Sequence, residues 1–104
     1  MSLPKPYERL KQRYPDVVGA YESLGQAATD AGPLSEREQR LVKFALAVGA
    51  GHEGALHSHA RRALRAGVSA EELQHAVLQA TTTLGFPSMM RAMTWLEDVL
   101  DEPG

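Results

Sequence analysis

The stretch HARRALRAGVSAEEL, residues 59–73, decides the fold. Within it one helical period ends and another begins. Ala63 and Ala66 continue an apolar face, and Gly67 stands where a helix closes in the left-handed conformation that glycine adopts freely. Ser69 followed by Glu72 has the spacing of a capping box, in which each residue bonds the other's backbone N–H. Upstream, Ser35 and Glu38 repeat the box and predict a helix from Ser35 to about Gly49. Downstream, Pro87 suits the first turn of a last helix.

Punctuation elsewhere follows the same pattern. Pro4 and Pro6 open the chain, Pro15 and Asp16 restart the period, and AGPLS, AGVS and GFPS separate the later segments. Six segments result, all with helical period and none alternating like a strand. The predicted fold is all-α, with short connections that make neighbouring helices antiparallel. Tyr7, Leu10, Tyr14, Val17 or Val18, Tyr21 and Leu24 form a stripe through the first two segments, predicted to pack in the core or at an interface. The third segment, with Leu41, Val42, Phe44, Ala45, Leu46, Ala47 and Val48, is apolar on nearly every side and is predicted to be central. Met90, Met93, Leu96 or Glu97, and Leu100 mark the stripe of the last, predicted to pack in the core or at a subunit interface.

At 104 residues the chain is the size of one domain, predicted to span residues 1–104. Apolar residues are 43% and charged residues 23%, which places it among folded globular proteins. A net charge of −2 without a basic block argues against nucleic acid as a partner. No apolar run suits a signal peptide or a membrane span, so no membrane contact and a cytoplasmic location are expected. The absence of cysteine excludes disulfides, thiolate nucleophiles and thiolate metal sites. Chemistry must therefore use His, Glu, Asp, Arg, Tyr or Thr.

The histidines concentrate in the fourth segment. At about 100° per residue, His52, Leu56, His59, Ala63 and Ala66 share one broad face. His57 falls on the other side in a row with Glu53 and Arg61, the usual makeup of a solvated face. His52 and His59 lie roughly 10 Å apart along the axis, too far to share an ion, and no metal is expected. His59 interrupts an apolar face, where it is either a core histidine satisfied by a hydrogen bond or a functional group. Across a tight turn, Arg40 comes level with His59, where a cation would depress the imidazole pKa and could hold a carboxylate. The alternative is that Arg40 simply extends to solvent.

The run from Leu34 to Leu100, with the motif H-x-R-x-A-L-x-A-G-x-S-x-E-E-L at His59 to Leu73 and G-F-P at Gly85 to Pro87, resembles the carboxymuconolactone decarboxylase-like family, which includes the alkyl hydroperoxidase D-like proteins. The resemblance implies a six-helix alkyl hydroperoxidase D-like domain that assembles with itself as a trimer or hexamer. The peroxidase branch carries a CxxC pair at the start of the fourth helix, then a histidine, with a glutamate on the preceding helix. Here His52 and Ala55 stand at the cysteine positions, His59 at the histidine and Arg40 at the glutamate, so a thiol peroxidase cycle is excluded. The decarboxylase branch lacks the pair and keeps the histidine. For that branch the resemblance implies a cofactor-free lyase acting on a small carboxylated ring or lactone in aromatic-compound breakdown. Arg40 would orient the carboxylate, apolar walls including Phe44 would favour loss of charge, and His59 would supply the proton. His52 and Glu53 would sit at the pocket rim. The alternative is a non-catalytic oligomeric binding or scaffold protein of the same fold.

Overall fold

The computed structural model describes residues 5–103, which form helices α1 (Lys5–Arg13), α2 (Pro15–Asp30), α3 (Glu36–Ala50), α4 (Glu53–Arg65), α5 (Ala70–Thr83) and α6 (Phe86–Leu100). No strand occurs among the described residues, as the helical periods predict. They fall into two compact units, divided between Pro33 and Leu34.

The first unit is α1 and α2. Pro15 occupies the first turn of α2, where its missing N–H has no helical partner to lose. The Tyr7 hydroxyl donates to Glu22 Oε2 at 2.8 Å, and Lys11 Nζ donates to the same oxygen at 3.4 Å. Together they hold the Glu22 carboxyl below its ordinary pKa, the tyrosine bond contributing most. The predicted apolar stripe is present but is not core. Leu10, Tyr14, Val17, Tyr21 and Leu24 are all exposed, and Val18 is the buried position. Two short helices have too little surface to cover such a stripe between them.

The second unit is a four-helix arrangement in which α3 packs on α4 and α5, and α6 on α4 and α5. Both capping boxes form. At α3 the N–H of Ser35 donates to Glu38 Oε1 at 2.9 Å and the N–H of Glu38 to Ser35 Oγ at 3.1 Å. At α5, Ser69 and Glu72 exchange the same bonds at 2.9 and 3.0 Å. The second carboxylate oxygen of Glu72 accepts from the Arg37 guanidinium, tying the first turn of α3 to that of α5.

Gly67, at φ +94°, closes α4 as predicted. Its N–H donates to the Leu64 carbonyl at 3.2 Å, and the N–H of Val68 donates to that of Ala63 at 3.0 Å. These are the two bonds of a Schellman motif, and buried Val68 supplies its apolar contact. Gly51, at φ +67°, ends α3 in the same way, and the Arg91 guanidinium of α6 lies over its Cα, where a side chain would stand.

The core of this unit takes one face from each of α3 to α6: Phe44, Ala47 and Val48; Leu56, Ala60 and Ala63; Leu73, Val77 and Ala80; Met89, Ala92, Leu96 and Val99. Spacings of three and four in each set put every member on one side of its helix. Two sequence expectations need correction. Although α3 is apolar on nearly every side from Leu41 to Val48, only one of its faces is covered, and Val42 and Leu46 remain 45% and 65% exposed. In α6 the buried row begins at Met89, with Met90 exposed and Met93 half-buried. That helix starts at Phe86 rather than Pro87, and its core-facing line is set by the helices opposite.

Candidate functional site

The site starts from the hairpin of α3 and α4. Gly51 reverses the chain within the turn, so the side of α3 that carries Arg40, Lys43, Phe44 and Ala47 faces the side of α4 that carries Leu56, His59, Ala60 and Ala63. Phe44, Leu56, Ala60 and Ala63 are wholly buried. His59 sits beside them, half-buried, with its Nδ1 out of solvent and without a hydrogen-bond partner. An unpaired buried imidazole nitrogen costs folding energy unless something else engages it.

The electrostatics around that ring are uniformly positive. Burial lowers the His59 pKa first, and Arg62, Lys43 and Arg40 lower it further, in that order. Arg62 lies one turn along α4, while Arg40 and Lys43 come from α3. Three cations about a neutral imidazole with a free nitrogen make a local environment suited to a small anion.

Arg40, expected level with His59, acts on the ring through its charge, the weakest of the four causes that lower its pKa. The other two cations, Lys43 and Arg62, were not anticipated. Lys43 reads in the sequence as a lone interruption of an apolar helix, yet its spacing of three from Arg40 puts both on one side. His52 and Glu53 are both exposed at the start of α4, where the His52 side chain makes no capping bond. Phe44 is fully enclosed in the core, one turn from Arg40.

His57 is not on a solvated face. Its side chain is 21% exposed and packs towards α6, with Nε2 buried and 3.4 Å from Asp98 Oδ2. The charge row read on α4 alone omits the helix opposite. His75 is exposed, as its position opposite Leu73 and Val77 implies, and lies 3.0 Å from Gln79.

Elsewhere in the second unit an open apolar groove of about 210 Å³ runs between α3 and α5. Ala45, Val48, Gly49, Ala76, Ala80 and Leu84 line it, and His59 does not. No helix among the described residues is long and apolar enough to cross a membrane.

Comparison with known proteins agrees with this fold. The model of the carboxymuconolactone decarboxylase family matches residues 15–98. The apo crystal structure of a carboxymuconolactone decarboxylase family protein from Legionella pneumophila superposes with a TM-score of 0.79 at 29% identity, covering 90% of this chain and 84% of that one. An uncharacterised protein of Haemophilus influenzae is 33% identical over 59 residues, which are 57% of this chain and 52% of that protein. The alignment thus spans about half the length of that curated relative.

Proposed function

From the premise that the chain belongs to the carboxymuconolactone decarboxylase family, we propose that it is a cofactor-independent lyase for a small carboxylated ring or lactone compound. The observation that carries this reading is the group of three cations around His59, whose Nδ1 is buried and unpaired. A carboxylate drawn in by Arg40 and Lys43 gains charge-assisted hydrogen bonds in a partly desolvated place. Decarboxylation breaks the bond between that carboxylate and the ring, releases carbon dioxide, and leaves a carbanion that must take up a proton. The electron pair of the broken bond stays on the ring carbon, where an adjacent unsaturated lactone can spread it, and apolar walls disfavour the localised carboxylate charge more than that dispersed one. Burial and the charges of Arg62, Lys43 and Arg40 hold the free His59 ring below its ordinary pKa; a bound carboxylate would oppose that shift, so that the ring can take a proton from water and pass it to the carbanion. With no cysteine, the chain cannot use the thiol chemistry of the family's peroxidases.

The proposal extends to self-association as a trimer or hexamer and to a cytoplasmic role in aromatic-compound breakdown. The exposed Val42, Leu46, Leu78, Phe86 and Met90 of the second unit favour the first of these, since monomers rarely leave so many large apolar side chains open.

Titration calorimetry with a carboxylated unsaturated lactone and its methyl ester tests the central claim. The acid should bind and the ester should not. Arg40→Gln and Lys43→Gln should each weaken the acid by about tenfold to a hundredfold, the worth of one hydrogen bond to a charged group. Equal binding of acid and ester, or variants that bind like the parent, would overturn the site. Tight binding of the acid without carbon dioxide release would leave a carboxylate-binding protein and remove the lyase.

A further inference from the structure

On the side of α4 away from His59, a second cluster has no part in the reading above. Residues two apart on a helix point about 200° from each other, so His57 and His59 serve opposite faces. The row Glu53, His57 and Arg61 runs along α4 and meets Asp98 on α6 and Glu102 just beyond its end. One end of this seam is satisfied: Arg61 Nε donates to Glu102 Oε1 at 3.0 Å, and Arg61 Nη2 donates to Oε2 at 2.5 Å. The other end holds two carboxylates, Glu53 and Asp98, with one imidazole between them.

We propose that Glu53, His57 and Asp98 form a binding site for one divalent transition-metal ion of the Zn²⁺ type. Each residue offers one ligand atom, and the three atoms lie within 4.8 Å of one another. His57 Nε2 and Asp98 Oδ2 are 3.4 Å apart, yet Nε2 is buried and makes no hydrogen bond. Metal bonds of 2.0–2.2 Å in a tetrahedron put neighbouring ligands about 3.3–3.6 Å apart, so the observed spacing is the one that two ligands of a single ion require. A lone pair on Nε2 directed at a cation explains a ring nitrogen that faces a carboxylate without bonding to it. Glu53, one turn before His57 and exposed, already has a carboxylate oxygen within 4.8 Å of both other ligand atoms.

The chemistry of the donors selects the ion. One imidazole and two carboxylates neutralise a divalent charge and suit borderline cations, whereas Ca²⁺ and Mg²⁺ prefer oxygen alone. Three protein ligands leave a fourth position for water, and the exposure of both carboxylates opens that position to solvent.

The full chain, freed of metal by chelation and dialysed, is titrated with ZnCl₂ by calorimetry and with CoCl₂ by visible absorption. One equivalent of each ion should bind per chain, Co²⁺ should give the strong bands of a four-coordinate site, and Zn²⁺ should raise the melting temperature. His57→Gln and Asp98→Asn should each weaken binding by about 100-fold or more, since even residues that merely support a metal ligand cost 10–100-fold when removed. His75→Gln, at an exposed histidine outside the cluster, should bind as the parent does. Circular dichroism confirms that each variant is folded; should His57→Gln fail, Asp98→Asn and Glu53→Gln at exposed positions carry the comparison. Absence of uptake by the parent chain would overturn the proposal and leave His57 and Asp98 as an ion pair. Uptake that survives in the cluster variants, or is lost in His75→Gln, would overturn it equally by putting the ion elsewhere.

Discussion

Phe44→Ala is expected to destabilise the chain by about 3–5 kcal/mol, the range for emptying a buried aromatic position. Phe44 has no exposed surface and belongs to the same close-packed core as Leu56, Ala60, Leu73 and Leu96, which can relax only partly into the space it leaves. A small domain has only about 5–15 kcal/mol in total, so this single change removes a large part of it. Urea denaturation followed by circular dichroism measures the effect. The result also separates two roles for this ring. A residue that lines a substrate cavity has open space on one side, and truncating it would alter affinity while leaving most of the stability in place. A loss below about 1 kcal/mol accompanied by altered ligand binding would give Phe44 to the site and take it from the core.

His59→Gln is expected to lower turnover of the carboxylated lactone by about 10²–10⁴-fold, the usual contribution of a placed proton-transfer group. Glutamine keeps a donor and an acceptor in a similar volume but cannot exchange a proton. Thermal stability should change little, because Nδ1 has no partner to lose and glutamine introduces no new charge among Arg40, Lys43 and Arg62. If the histidine were only structural, the melting temperature would fall by several degrees, as about 1 kcal/mol does in a domain of this size, and activity would fall only with the folded fraction. A stable variant with unaltered turnover would leave no group at this site to handle the proton.

Much of the backbone was legible before any coordinates. Ser35, Glu38, Ser69 and Glu72 form the boxes that their spacing announces, and Gly67 adopts the conformation that its place requires. Such signals are local, since each depends on atoms within four or five residues of one another. What covers a helix is not local. From Leu41 to Val48 the third helix is apolar on nearly every side with only Lys43 interrupting, so periodicity says little about which face is buried, and Val42 and Leu46 are open. The stripe of α2 has a clear direction, yet direction does not say whether anything lies there. The site divides along the same line. Counting through one tight turn puts Arg40 level with His59, whose ring does feel its charge, whereas His57 could not be read without α6 opposite. Lys43 was discoverable from spacing, but an apolar neighbourhood made it look incidental.

Glu72 spends its two carboxylate oxygens on two different helices, one on the Ser69 backbone and one on Arg37. The Arg37 bond, followed by that from Ser69, holds its pKa down to about 2. A carboxylate with an ordinary value near 4.5 in the unfolded chain then favours the folded form fully above that value and gives the advantage up as pH falls towards 2. In moderate acid the chain therefore keeps the link between the starts of α3 and α5 while its freely solvated acids take up protons. The expected course of acidification is sequential: a titration that resolves the Glu72 carboxyl carbon by NMR should show it ionised at pH 4 or so, after most other side-chain carboxylates have begun to change. Substituting Arg37 by Met should bring that midpoint back up towards the common range, and the order of events in acid would then be lost.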